Sequence, residues 1–148
     1  MRNNSVWNYR FFLIKLTNEN KFSENLIQSE INYTLEKITE VPFNESPYSY
    51  IRGLLKEVGY KFSKFPEIKN FVEKIIELNP KCSYAYSLLL DIYEEYKDKE
   101  NYTKIDNIIS NLLECDYIRK KYWLWRKEKI ISRIYRRNKY NNLLNKFY

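Results

Sequence analysis

Two helix-start signals, 41 residues apart, constrain the fold more than any other feature of this sequence. Residues 3–10 and residues 44–52 each place polar capping residues before a large aromatic side chain. The aromatic residue is Trp7 in the first segment and Tyr48 in the second, at the same point of an apolar helical pattern. Because a helical segment precedes the later signal, the repeated unit is a pair of helices. One pair cannot bury its apolar face alone, so successive pairs stack into a solenoid.

The spacing of apolar residues predicts an all-α fold, an α-α superhelix of about seven helices arranged as antiparallel hairpins. Only 2 Gly and 4 Pro in 148 residues are too few for a β sandwich with many turns. Large aromatic residues recur in every second helix, at Trp7, Tyr48, Tyr86 and Trp123. The helices are predicted to begin near Asn4, after Ser23, after Ser46, at Pro66, at Ser83, shortly before Ile105 and near Tyr117.

The third helix has the most specific boundary signals. Ser46 is expected to cap it, with Pro47 at the first helical position, where the missing N–H costs nothing. Gly59 is expected to end it in a left-handed conformation. Gly53 lies inside this helix, where glycine costs roughly 1 kcal/mol relative to alanine. We therefore expect a neighbouring helix to approach Gly53 closely and offset that cost.

The chain has the length of one domain. We expect one repeat domain over residues 1–137 and a basic tail over residues 138–148 that frays, although Leu143 and Leu144 could dock on the fold. The first helix has the pattern of an internal repeat and not of a polar capping repeat. Its face around Trp7 is therefore expected to be half covered, and the isolated chain to be marginally stable or prone to aggregate.

The absence of histidine excludes several kinds of active site. Neither a Ser-His or Cys-His nucleophile pair nor a histidine-bearing metal site can form. The two cysteines, Cys82 and Cys115, cannot make a four-cysteine zinc site and are typical of a reduced, intracellular protein. No apolar run approaches membrane-spanning length, and the N-terminus lacks a signal-peptide core. We expect a cytoplasmic protein that has no metal site and no catalytic residue of its own.

The net charge of +7 is unevenly distributed along the chain. Residues 117–148 contain eleven Lys or Arg and a single acid, Glu128, whereas the remainder is slightly acidic. Because these cations are interleaved with Tyr and Trp, the segment has the composition of a nucleic-acid-binding surface. A solvated last helix with a charged tail explains the same composition and is the interpretation we favour. We therefore do not expect nucleic acid to be a partner; steep salt dependence of RNA or DNA binding would argue for it.

Two Trp-x-x-Arg motifs, Trp7 with Arg10 and Trp123 with Arg126, place an aromatic ring and a guanidinium on one side of a helix. By itself the motif predicts a structural role. The tryptophan fills the space between stacked helices, while the arginine binds a neighbouring loop or carboxylate.

Five sequence blocks extend the pattern beyond the two motifs. They are RNNSVWNYR at residues 2–10, NYTLE at 32–36, VP followed by NES at 41–46, DIYE at 91–94, and IRKKYW at 118–123. In order and spacing, these blocks resemble the α subunits of protein farnesyltransferase and type I protein geranylgeranyltransferase. The resemblance spans residues 2–126 and departs from the family where Tyr48 replaces the usual tryptophan.

The resemblance implies that this chain is the C-terminal part of a non-catalytic α subunit of a heterodimeric prenyltransferase. In that family a barrel-shaped β subunit binds the catalytic zinc, and magnesium is a second metal that could act there. No cofactor is therefore expected on this chain. The complex transfers farnesyl or geranylgeranyl from an isoprenoid diphosphate to the cysteine of a C-terminal Cys-a-a-X motif. The alternative is a helical-repeat adaptor of the same build that binds another protein and has no prenyltransferase activity.

The resemblance also implies which residues face the β subunit. Active-site α repeats carry a Lys-Asn-Tyr-type loop, whereas this chain has Arg2, Asn3 and Asn4 at that register, so no catalytic role is transferred. These three residues, together with Tyr48 and Arg52, are the candidate β-subunit interface. Trp7, Arg10, Tyr48, Trp123 and Arg126 are the structural residues of the repeat motif.

Overall fold

A computed structural model describes residues 4–19, 21–96 and 101–144, with side chains described up to residue 133. The described residues form seven α-helices and no strand, which confirms the predicted all-α fold. Short 3-10 helices lie at Phe62–Lys64 and Tyr117–Arg119. The α-helices are α1 Asn4–Thr17, α2 Glu24–Glu40, α3 Glu45–Val58, α4 Pro66–Leu78, α5 Ser83–Tyr96, α6 Tyr102–Cys115 and α7 Lys120–Leu144.

The helices stack in two layers. α1 packs on α3 and α3 on α5 in one layer, while α2 packs on α4 in the other. Between the layers, α3 packs on α2, α5 packs on both α4 and α6, and α6 packs on α7. Each helix therefore depends on its neighbours in the stack for burial, as expected of a helical-repeat protein.

Local signals set most helix ends where the sequence predicts them. The Ser23 hydroxyl caps α2 by accepting the N–H of Leu26 at 3.2 Å. Pro66 occupies the first turn of α4, and α3 ends at Gly59 with φ of 69°, which glycine adopts without steric cost. These boundaries follow from short-range chemistry, so the sequence alone is sufficient to place them.

The predicted cap of α3 is wrong. Asn44 caps this helix, and its side-chain oxygen accepts the N–H of Ser46 at 3.2 Å. Ser46 is buried instead, and its hydroxyl donates to the Asn4 side chain at 2.5 Å. Pro47 is consequently the third residue of α3, where a missing N–H is still harmless because first-turn N–H groups have no acceptor within the helix.

The expected close approach at Gly53 is also wrong. A Cβ atom built on Gly53 meets no atom within 4 Å, and the residue is exposed in the middle of α3. The cost of glycine in a helix is therefore not offset by packing within the described part of the chain.

One apolar core runs through the stack and contains buried residues from α2 to α7. α1 contributes no buried residue, and only one side of it, including Trp7 and Phe11, packs on the core. We call its opposite side the outer face of α1; it consists of five exposed apolar residues, Val6, Tyr9, Phe12, Leu13 and Leu16.

The last helix is longer than the sequence predicts. The backbone of α7 continues as helix to Leu144, past the point near Asn138 at which we expected fraying. The predicted docking of Leu143 and Leu144 concerns side chains outside those that the structure describes. None of the helices in the described ranges combines the length and the apolar character that crossing a bilayer requires.

Candidate functional site

The first Trp-x-x-Arg motif joins three helices through a buried carboxylate. Arg10 donates from Nε to Glu30 Oε2 at 2.7 Å and from Nη2 to Oε1 at 2.6 Å. The Tyr50 hydroxyl donates to the same Glu30 Oε2 at 2.6 Å. We call these three residues the first arginine cluster. The hydrogen bond to Glu30 raises the pKa of Arg10 above its ordinary value.

Aromatic rings cover the same cluster. The Trp7 ring centroid lies 4.9 Å from that of Tyr50 and 5.9 Å from that of Tyr33. The guanidinium carbon of Arg10 lies 3.8 Å from the centre of the Tyr33 ring, a cation–π contact. Trp7 and Arg10 therefore hold α1 against both α2 and α3.

The second Trp-x-x-Arg motif starts from a tryptophan that is almost fully buried. The Trp123 indole N–H donates to Asp116 Oδ2 at 2.9 Å, and Arg119 Nε donates to the same oxygen at 2.6 Å. These bonds hold the start of α7 against the end of α6.

Arg126 belongs to the second arginine cluster, which we define as Arg52, Asp91 and Arg126. Asp91 accepts hydrogen bonds from both arginines, one from α3 and one from α7. Arg126 Nε also donates to Glu94 at 3.0 Å, and Arg52 Nη2 donates to Ser87 at 3.0 Å. Burial alone would lower the pKa of Arg126, but its bonds to Glu94 and Asp91 raise that pKa above its ordinary value.

Tyr48 is not available to a partner, which corrects its predicted place in a β-subunit interface. The residue is fully buried, and its hydroxyl donates to the Pro42 carbonyl at 2.9 Å. The Cys82 thiol donates to the same carbonyl at 3.1 Å. Burial raises the pKa of Tyr48 well above the ordinary tyrosine value. Its role is to fill the space between α3 and the start of α5.

The other predicted interface residues have different positions. Arg2 and Asn3 lie outside the described residues. Asn4 is exposed at the start of α1 and lines a hollow of about 310 Å³ between α1 and α3. Arg52 is 30% exposed and lines a larger groove. The structure thus brings Asn4 and Arg52 to the surface of the layer that contains α1, α3 and α5.

That larger groove has a volume of about 760 Å³. Its floor is α5, through Ser87, Asp91 and Glu95, while α3 and α7 form its two walls. We call it the α5 groove. The second arginine cluster crosses it, so charged groups of three helices meet at one recess.

Two properties of the described residues concern metal binding and thiol chemistry. No group of three His, Cys, Asp or Glu side chains among them is placed to hold a metal ion. Burial raises the pKa of the Cys115 thiol, which makes it a poorer nucleophile at neutral pH.

Sequence reasoning missed the acidic residues that bind the arginines. Glu30 occupies a position on the apolar stripe of α2, between Ile27 and Ile31, and is buried with them. An acid on an otherwise apolar stripe is a usable signal of a buried ion pair, because an isolated buried charge is too costly to keep.

The fold and the two arginine clusters define a class: a scaffold of stacked helical hairpins with Trp-x-x-Arg motifs. No family model matches the chain. Curated relatives do match, and each is a protein farnesyltransferase/geranylgeranyltransferase type-1 subunit alpha. The Dictyostelium discoideum protein is 40% identical over 129 residues, covering 82% of this chain and 38% of the relative. The Pisum sativum protein is 30% identical over 146 residues, covering 86% of this chain and 44% of the relative.

A solved structure agrees with these relatives. One chain of Candida albicans protein geranylgeranyltransferase-I complexed with GGPP superposes with a TM-score of 0.72 at 25% identity, covering 87% of this chain and 42% of that one. The present chain is therefore similar, over most of its own length, to protein farnesyltransferase/geranylgeranyltransferase type-1 α subunits. It spans about two fifths of the length of the curated relatives it matches.

Proposed function

We propose that this chain is the C-terminal part of an α subunit that supports the catalytic β subunit of a heterodimeric protein prenyltransferase. The complex would attach farnesyl or geranylgeranyl to the cysteine of C-terminal Cys-a-a-X motifs. The observation that carries the proposal is the 40% identity to the Dictyostelium α subunit over 129 residues. The TM-score of 0.72 to a geranylgeranyltransferase-I chain supports it.

The role assigned to this chain is mechanical. The two arginine clusters fix the relative positions of α1, α2 and α3 at one end and of α3, α5 and α7 at the other. Charge-assisted hydrogen bonds have strict geometry, so they hold a surface in one shape before a partner binds. A preformed surface binds with a smaller loss of conformational freedom, which favours affinity.

The chemistry in this proposal takes place on the β subunit. That subunit would hold the zinc, and magnesium where it is required, while no residue of this chain contacts the reacting atoms. Arg2, Asn3, Asn4 and Arg52 remain the proposed contacts with the β subunit. The complex would act in the cytoplasm.

The adaptor alternative uses the same scaffold without a prenyltransferase partner. The comparisons do not favour it, because the matching curated relatives are named as prenyltransferase α subunits. It remains a distinct outcome of the experiment that follows.

The test is co-expression with the β subunit from the same source, followed by gel filtration and a prenyl-transfer assay on a Cys-a-a-X peptide. The β subunit expressed alone is the control. We expect co-elution in one complex. Turnover would show that this length of α subunit is sufficient, whereas a complex without turnover would assign the missing contribution to the rest of the relatives' length. Separate elution of the two proteins would contradict the proposal and favour the adaptor.

A further inference from the structure

Two acidic side chains on the floor of the α5 groove already accept hydrogen bonds from this chain. Asp91 accepts from Arg52 and Arg126, and Glu95 accepts the backbone N–H groups of Phe62 at 3.0 Å and Ser63 at 3.2 Å. Two guanidinium groups of the fold balance the charge of Asp91, whereas the Glu95 oxygens are occupied by backbone donors, so both acids offer few free acceptor sites to a partner.

Three cations around the groove, unlike Asp91, form no ion pair within the described residues. Lys56 lies on its α3 wall, while Lys61 and Arg133 border an adjoining hollow of about 370 Å³ that shares Asp91 and Glu95 with it. All three are exposed. Among the residues that the structure describes, none of the three forms an ion pair. Two lining acids, Glu45 and Glu95, are likewise without an ion pair among them, so the three cations leave a small excess of positive charge around the groove.

The walls also carry apolar surface. Tyr60 and Phe62 are half-buried beside the floor, and Tyr122 is 44% exposed on the opposite wall. Aromatic side chains at a recess bury large area at little entropic cost, so they are suited to receive an apolar side chain of a partner. The groove thus combines an apolar interior with a cationic rim.

We infer that the α5 groove receives a segment of the β subunit that carries clustered Asp or Glu side chains around one aromatic or aliphatic residue. The inference rests on the proposed function and adds the chemistry of the partner segment. The free cations select the acids by charge complementarity, and the aromatic walls enclose the apolar residue. Association should consequently weaken as salt is added, because rim charges are screened.

The experiment compares two variants of the co-expressed complex. The groove variant is Lys56→Glu, Lys61→Glu and Arg133→Glu. The control variant is Lys21→Glu, Lys74→Glu and Lys104→Glu, which changes the net charge equally at exposed lysines that line neither recess. Thermal melts of the two isolated variants first establish that both fold. Affinity for the β subunit is then measured at about 50 mM and about 500 mM salt, where screening differs strongly.

We expect the groove variant to bind about tenfold or more weakly than the control at low salt, with a smaller difference at high salt. Equal affinities of the two variants would overturn the inference while leaving the proposed function intact. Tighter binding by the groove variant would also overturn it, since the partner segment would then be basic. Failure of the unaltered chain to bind the β subunit would overturn both.

Discussion

α1 and α3 occupy corresponding places in successive repeats, yet they differ sharply in burial. α3 buries seven residues and α1 buries none. Tyr9 and Leu13 of α1 are 62% and 39% exposed, whereas Tyr50 and Leu54, 41 positions later, are 7% and 0% exposed. Because both helices carry a tyrosine and a leucine at these corresponding positions, the residue types there do not explain the difference.

The difference comes from what lies beside each helix. Trp7 of α1 covers Tyr50 of α3, with ring centroids 4.9 Å apart. Among the described residues nothing buries Tyr9 in the same way. In a stacked repeat protein much of the stability comes from contacts between neighbours, and a helix with neighbours on only one side gains only part of it. α1 is therefore held in place by the first arginine cluster and by contacts of a few aromatic rings, whereas α3 is held by burial of its side chains in the apolar core.

The largest expected effect comes from truncating the matched leucines. Leu54→Ala in α3 leaves a cavity in the core and should lower the free energy of unfolding by about 2–5 kcal/mol. Leu13→Ala in α1 removes a partly exposed side chain and should cost no more than about 1 kcal/mol. Urea unfolding of both variants, followed by circular dichroism, measures the difference. Equal losses would mean that α1 is buried as deeply as α3 in solution.

Substituting the acids that pair with the arginines of the two clusters should have the next largest effect on stability. Asp91→Asn leaves Arg126, only 11% exposed, with a weaker partner and removes the carboxylate that pairs with Arg52, so it should lower the free energy of unfolding by about 2–4 kcal/mol.

Glu30→Gln should instead destabilise the packing of α1 alone, because two hydrogen bonds from Arg10 to Glu30 attach that helix to α2. Hydrogen exchange would then be faster in α1 and unchanged in α4 to α6. Glu128→Gln, at an exposed site of α7, is the control and should change neither the global stability nor hydrogen exchange in α1.

Alkaline pH should lower the free energy of unfolding through two buried tyrosines of α3, Tyr48 and Tyr50. Burial raises the pKa of Tyr48, and burial with the bond to Glu30 raises that of Tyr50, both from an ordinary value of 10.0. A raised folded-state pKa gives stability that is complete below the unfolded-state value and is lost as pH rises beyond it. Each tyrosine should therefore remove about 1 kcal/mol of stability by pH 11.

Denaturation at pH 8 and pH 11 measures this loss, and Tyr48→Phe should lose less between the two values because phenylalanine cannot ionise. An identical loss in that variant would assign the alkaline effect to other groups.

The smallest expected effect is at Gly53, at the surface of α3. Gly53→Ala adds a methyl group where no atom lies within 4 Å, and alanine is the better helix former. The isolated chain should gain up to about 1 kcal/mol. Thermal unfolding measures the gain, and a loss would show that the hollow between α1 and α3 closes over Gly53 in solution.

Much of the fold could be predicted because its signals are local. Ser23, Pro66 and Gly59 set helix ends through their own backbone chemistry, and apolar spacing places the helices between them. Asn44 and Ser46 could not be ranked as caps from sequence, since both residue types serve equally well and the structure uses Ser46 for a contact with Asn4.

The candidate site was less predictable because its contacts are long-range. The Trp-x-x-Arg motifs identify Arg10 and Arg126, but their partners lie 20 to 35 positions away in sequence. The burial of Tyr48 likewise depends on the loop at Pro42 and on Cys82 of the next repeat, which helical spacing cannot reveal.

The central claim is that this chain binds a β subunit through the layer of α1, α3, α5 and α7. Hydrogen exchange read by mass spectrometry, on the chain alone and co-purified with the β subunit, tests it most directly. The account predicts slower exchange on binding in α3, α5 and the first half of α7, with little change in α2 and α4. Absence of a complex, or protection confined to α2 and α4, would contradict it.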